Sequence, residues 1–232
     1  NSEKKLSYNE WLNKLGYEGD NPWDSWANSA EGDNGEILSG WRLRNSNKPA
    51  RIPEKHSETA FMTNRAIEFI EDSKDNPWFL HLSYIKPHWP YMAPAPYHNM
   101  FSANQFYPVH RSNSEKKINH PVYKAFMENS ISKTFSRNEV RDTVLSGYMG
   151  LIKQIDDNLG RLFKFLEESK YMENTMIVFT SDHGDYHGDH WLGEKELFHE
   201  QIVRVPMIIY DPSKLADNNR GIKEKRFIEA ID

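Results

Sequence analysis

"TMIVFTSDHGDYHGDHWLGEK" occupies residues 175–195. It opens with an apolar run, TMIVFTSD (175–182), that has the length and β-branched content of a buried strand. The character then changes at once. SDHGDYHGDHWLGEK (181–195) places three histidines, four acids, three glycines and a lysine in fifteen residues. A strand that stops at a cluster of titratable groups fits an α/β fold, where ligands bind beyond the carboxyl ends of the strands.

The rest of the chain supports that reading. VPMIIYDP (205–212) is a second apolar run, stopped by Pro212, and WFLHLSY (78–84) reads as a buried strand. HSETAFMTNRAIEFIEDS (56–73) reads as a helix with Met62, Ala66, Phe69 and Ile70 on one face. Ser136 and Glu139 are spaced as a capping box for a longer helix. In it Val140, Val144, Tyr148, Ile152, Ile155, Leu159, Leu162, Phe163 and Leu166 recur at steps of three and four. IKPHWPYMAPAPYHNMF (85–101) holds four prolines, which excludes regular structure and predicts a rigid loop. Residues 102–135 read as loop with a short helix around PVYKAFMEN.

Residues 1–56 are irregular and Trp-rich, with a short helix at SYNEWLNKL whose Ser7 and Glu10 form a second capping-box pattern. Trp11, Trp23, Trp26 and Trp41 are expected to be packing residues. The order helix, strand, helix, strand, strand predicts one α/β domain over 1–232, with a largely parallel sheet flanked by helices and long loops. In such a sheet WFLHLSY runs into Lys86 and His88, and MIVFTS runs into Asp182 and His183. Parallel strands would bring these two clusters together from about 100 residues apart.

Composition narrows the function. The net charge is -5, and no basic run suggests a nucleic-acid footprint. No run of about 18 apolar residues is present to span a membrane. Hydrophobic residues make up 38%, but seven Trp, eleven Tyr and twelve Phe predict a folded chain rather than a disordered one. There is no cysteine, which removes disulfides, thiolate metal sites and a cysteine nucleophile without fixing the compartment.

The chemistry of 181–195 lies at its ends. Asp182 and His183 offer a carboxylate and an imidazole, which suit a divalent ion, although a solvated turn would carry the same pair. His183 and His187 have the i, i+4 spacing of a helical zinc site, but Gly184, Gly188 and the preceding strand argue against a helix. The aspartate spacing does not fit an EF-hand. Lys195 could stabilise negative charge on a transferred phosphoryl or sulfuryl group, or lie on the surface. His88 could give a proton to a leaving oxygen or bind an anionic ester, or be a structural histidine of KPHWPY. His187, Asp189 and His190 are expected to be scaffolding, and Arg204 to form an ion pair.

TSDHGDYHGDHWLGEKELFHEQIVRVPMIIYDP resembles the carboxyl-half signature of the sulfatase branch of the alkaline phosphatase superfamily. PWFLHLSYIKPHWPYMAPAPYHNMF, HSETAFMTNRAIEFI and RFIEAID resemble further segments of it, in the same order. The chain looks most like phosphonate monoester hydrolases and phosphodiesterases, and iduronate- and choline-type sulfatases share several of the motifs. The resemblance implies a partial alkaline-phosphatase-like sandwich and a metal-dependent hydrolase of sulfate, phosphate-diester or phosphonate-monoester bonds. It implies a divalent ion (Mn, Zn, Ca or Mg) held in part by Asp182 and His183. Lys195 and His88 would bind a small anionic ester and assist the leaving oxygen.

Other family elements are missing. No D-D-x-R-type metal motif precedes residue 57, and no C/S-x-P-x-R segment supplies a nucleophile, which in the family is commonly a formylglycine made from Cys, or a Ser. The expectation is therefore a fragment that holds its metal weakly, is inactive alone, and self-associates or needs a complementing chain. The competing expectation is a non-catalytic remnant or module that binds a partner through the Trp-rich segment or a sheet edge.

Overall fold

A computed structural model describes residues 7–73 and 76–229. The chain begins with α1 (Tyr8–Lys14), capped by the expected box: Glu10 N–H donates to the Ser7 hydroxyl, and the Glu10 carboxylate accepts from the Ser7 backbone. Two three-residue strands follow, β1 (Ser29–Glu31) and β2 (Ile37–Ser39), paired antiparallel. The four tryptophans pack as expected. Trp11 lies against Phe61 at 5.1 Å between ring centroids, Trp23 against Trp41 at 6.1 Å, and Trp26 under the Arg51 guanidinium at 4.0 Å.

Next is α2 (Glu58–Asp72), capped by Ser57. Its buried face is Thr59, Ala60, Phe61, Thr63, Ala66 and Ile70. Of the expected face, Met62 is only half-buried and Phe69 is turned outward onto Trp78. Thr59, Ala60, Thr63 and Ala66 keep much of this face small where α2 packs against α5 (Asn138–Glu168), which follows the short helices α3 (Pro121–Glu128) and α4 (Ser130–Phe135).

The face of α5 also departs from the apolar stripe. Val140, Val144, Leu162 and Leu166 are buried as expected, but Gly147, Gly150, Gln154 and Asn158 are buried with them while Ile152 is exposed. The polar pair has partners: Gln154 Nε2 donates to Ser57 Oγ at 2.6 Å, and Asn158 Nδ2 donates to Glu54 Oε1 at 2.9 Å. The glycines admit backbone. A Cβ on Gly147 would stand 2.5 Å from the Ser46 carbonyl, and one on Gly150 would overlap the Tyr97 carbonyl. The expected Ser136–Glu139 box is not formed. Ser136 ends α4, its hydroxyl donates to the Ser132 carbonyl at 2.9 Å, and α5 starts behind Arg137.

The core sits between α5 and the proline loop rather than between a helix and a sheet. Tyr91, Ala93 and Tyr97 of the loop meet Phe135, Val140, Val144 and Leu151. The remaining elements are β3 (Ile177–Thr180), α6 (Glu200–Val203) and β4 (Met207–Tyr210). β3 and β4 pair antiparallel, Ile177 opposite Tyr210 and Thr180 opposite Met207. The architecture is α/β, but both ladders among the described residues are antiparallel, which corrects the parallel expectation. Apolar runs specify strands and not their direction. Here the connection through α6 turns back at the strand end, where Gly184 N–H donates to the Ile202 carbonyl at 2.9 Å, instead of crossing a sheet face.

WFLHLSY is a second correction. It runs extended without a ladder among the described residues, and it is not buried on both faces. Trp78, Leu80 and Leu82 lie against the α2–α5 cluster, while Phe79 points outward at 88% exposure. The period of two is that of a strand with one face packed.

Candidate active site

The loop 181–195 is tied together by its own backbone. Tyr186 N–H donates to the Glu194 carbonyl, and Gly188 N–H to the Leu192 carbonyl, both at 2.9 Å. Tyr186 and Leu192 anchor it in a cluster with Tyr123 and Ile202. Gly188 is required at its turn: its φ is +93°, and a Cβ would stand 2.7 Å from the Phe135 carbonyl.

The residues inside the loop are spent on this scaffold. His187 is buried beside Tyr91, Phe135 and Tyr148, with the Tyr148 ring centroid at 4.2 Å. Burial holds its imidazole below the ordinary value, and the nearby Asp185 carboxylate opposes this. His190 contacts Glu115 at 2.9 Å and Gln201 at 3.2 Å, and Asp189 accepts the His110 N–H at 2.9 Å. Arg204 pairs with Glu200 at 3.7 Å, both well exposed, so this contact adds little stability.

The two ends of the loop meet the proline loop. Lys195 Nζ lies 2.9 Å from His88 Nε2, across 107 positions of sequence. The His88 and His183 ring centroids are 6.2 Å apart. Thus three of the four sequence-predicted residues converge directly, and Asp182 joins them through His183, whose Nε2 is 3.4 Å from Asp182 Oδ2. The convergence survives the correction of the strand direction, because it is made by the loops after the extended segments.

Hydrogen bonds settle the tautomers. His88 Nδ1 is 2.7 Å from the Trp89 carbonyl, and His183 Nδ1 is 2.7 Å from the Gly184 carbonyl. A carbonyl only accepts, so each Nδ1 carries the proton. In the neutral rings each Nε2 then presents a lone pair. For His88 that lone pair accepts from the Lys195 ammonium. For His183 it faces Asp182 Oδ2, while Asp182 Oδ1 accepts the His183 N–H at 3.0 Å. A carboxylate oxygen and an imidazole nitrogen facing each other suit a shared proton or a cation, and a ring fixed through Nδ1 is the usual posture of a metal-ligating histidine. The pair therefore fits two ligands of a divalent ion. Among the described residues no group of three or more His, Asp or Glu could hold one. The Asp182 carboxylate is 83% exposed, so this half of the site faces solvent.

Sequence reasoning missed Tyr91 and Asp185. The Tyr91 hydroxyl donates to Asp185 Oδ2 at 2.6 Å, which ties the proline loop to the residue two places after His183. Burial and the Asp185 charge push the Tyr91 phenol far above its ordinary value, so it remains a donor. No spacing rule could have shown this contact across 94 positions. Glu194, beside Lys195, has its carboxyl raised by burial and by Glu196 and Asp185.

Helices around a short strand ribbon, with an Asp–His pair just beyond β3 and a Lys–His pair beside it, make this an α/β protein. The fold agrees with solved structures of that type. A phosphonate monoester hydrolase from Silicibacter pomeroyi matches with a TM-score of 0.77 and 27% identity, over 91% of this chain and 42% of that one. The corresponding enzyme of Agrobacterium radiobacter matches at 0.73 and 25%, over 88% and 41%. In sequence, the multifunctional alkaline phosphatase superfamily protein PehA of Trinickia caryophylli is 35% identical over 200 residues, 81% of this chain and 38% of that protein. An arylsulfatase of Clostridium perfringens is 29% identical over 191 residues, 80% of this chain and 38% of that protein. The sulfatase family model matches residues 4–232, and the chain belongs to the sulfatase family. It spans about two fifths of the length of these relatives.

Proposed function

We propose that this chain carries the anion-binding and part of the metal-binding machinery of a hydrolase acting on sulfate, phosphate-diester or phosphonate-monoester bonds. One observation carries the reading: Lys195 and His88 meet at 2.9 Å beside His183, although they come from segments distant in sequence. Family membership supports the reaction class.

The roles follow from the atoms. Asp182 Oδ2 and His183 Nε2 would hold a divalent ion, in keeping with a family that is generally dependent on one. When bound, such an ion supplies Lewis-acid stabilisation of charge developing on the transferred group. Lys195 places a positive charge where a tetrahedral anion would be held. His88 is locked by Trp89 through Nδ1 and turns Nε2 toward the same place. That atom presents a lone pair to Lys195 in the neutral ring, and it gives a proton to the leaving oxygen only once the ring has taken one up. No residue of this chain is assigned as nucleophile. The small anionic ester is bound by charge, and neither sulfur nor phosphorus is preferred by these two side chains.

The test uses p-nitrophenyl sulfate and p-nitrophenyl phenylphosphonate with the full-length protein. His88→Ala and Lys195→Met are each expected to lower kcat/KM by about 100-fold or more, the usual contribution of a proton donor or a charge stabiliser. Wild-type turnover in both variants would remove the assignment. The 232-residue chain alone is expected to show negligible turnover and weak binding of Mn or Zn. Sub-micromolar affinity by calorimetry would contradict a two-ligand site.

A further inference from the structure

Lys86 has no part in the site described above, yet it is the buried lysine nearest to it in sequence. Its side chain is only 7% exposed. Nζ donates to Asn28 Oδ1 at 2.6 Å and to the Pro90 carbonyl. Asn28 is itself 1% exposed and is fixed in turn, its Nδ2 donating to the Trp23 carbonyl at 2.9 Å. Glu58, the first residue of α2, accepts from Trp23 Nε1 at 3.0 Å and is the charge that offsets the buried ammonium.

These contacts form a clasp around His88. Lys86 and Pro90 flank it at two residues on either side, and the Lys86–Pro90 contact closes that short loop on itself. His88 N–H donates to the carbonyl of Ile85, just before the loop, at 3.0 Å, and inside the loop Nδ1 reaches the Trp89 carbonyl at 2.7 Å. A second support comes from the same amino segment: Trp41 packs edge-on against Trp89 with ring centroids 5.5 Å apart. The carbonyl that selects the His88 tautomer therefore belongs to a residue held by Trp41, in a loop closed by Lys86.

We infer that Lys86, through Asn28 and the Pro90 carbonyl, is a positioning residue for His88, and that the Trp-rich segment serves as its platform. An ammonium held out of water keeps its carbonyl and amide partners in place because releasing any of them would leave a buried charge short of hydrogen bonds. Lys86 touches neither Lys195 nor the Asp182–His183 pair, so it acts on the site only through the placement of His88. The inference rests on the reading of His88 as a site residue, but its test does not require turnover.

The readout is the ring-nitrogen chemical shift of His88 in protein labelled with 15N at histidine, which reports the tautomer directly. The wild type is expected to show His88 protonated at Nδ1. Lys86→Met, which keeps length and removes the donors, is expected to give a mixture of tautomers. Trp41→Leu, at a half-exposed position, is expected to shift the balance in the same direction while folding normally, and it serves if Lys86→Met does not fold. In the full-length protein both variants should lower kcat more than they change KM, and Lys86→Arg should restore part of the loss. A folded Lys86→Met or Trp41→Leu variant that keeps the wild-type tautomer would overturn the inference. If the tautomer shifts and no ester is hydrolysed by any form, the clasp stands and the functional reading falls.

Discussion

The inner face of α5 and the ribbon formed by β3 and β4 are rich in the same kinds of residue and lie in opposite environments. On α5, Val144 and Leu151 are fully buried against Tyr91, Ala93 and Tyr97. On the ribbon, Val178, Ile208 and Ile209 are 54%, 62% and 56% exposed. The difference is the presence of a facing layer. The helix has the proline loop and α2 to pack against, whereas Val178, Ile208 and Ile209 of the ribbon, like Phe79 of WFLHLSY, are on faces that no layer covers among the described residues. Hydrophobicity drives burial only where a second surface exists to receive it.

The comparison can be broken at several points. The largest effect is expected for Leu151→Ala, which leaves a cavity at a fully buried position and should cost about 3 kcal/mol, measured by urea unfolding. A cost below about 1 kcal/mol would show that the core is not packed as described. Gly150→Ala comes next. In an exposed helix this change gains about 1 kcal/mol, but here the added methyl meets the Tyr97 carbonyl and a net loss of about 2 kcal/mol is expected. A gain in stability would mean the loop is not in contact with α5.

A smaller effect concerns pH. Burial lowers the His187 pKa in the folded chain, so above about pH 6.5 the ring is neutral in both states and the full stability is present. As pH falls through that value the unfolded chain binds a proton that the folded chain refuses, and stability is lost. His56, His98 and His199 are also lowered by burial, so they add to the loss. His187→Gln should therefore lose less Tm between pH 7.5 and pH 5 than the wild type. An equal loss in both would show that His187 is not held neutral by its aromatic surroundings. The smallest effect on stability is expected on the ribbon: Ile209→Ser should change it by no more than about 0.5 kcal/mol. The same substitution should reduce self-association of the isolated chain, seen by sedimentation velocity, because an uncovered strand edge recruits a second chain. A wild type that stays monomeric at high concentration would count against that expectation.

Part of this organisation was legible in the residues. The α1 capping box, α2 and the long α5 follow from local capping and periodicity. The proline loop follows from four prolines in seventeen residues. The α5 face was less legible, because Gln154 and Asn158 look like surface residues until Ser57 and Glu54 are seen to receive their amides. Ser136 looked like a cap for α5 because spacing alone does not say which helix a residue serves.

The sequence by itself determined the kinds of element, the rigid loop, and the chemistry offered by Asp182, His183, Lys195 and His88. These depend on local sterics and on functional groups, which are properties of the residues themselves. Only the tertiary structure decided that β3 and β4 run antiparallel, that WFLHLSY packs on one side, and that Lys195 meets His88 while His187 and His190 turn away into scaffold contacts. Those outcomes depend on which surfaces face each other, and the facing residues come from segments dozens of positions apart.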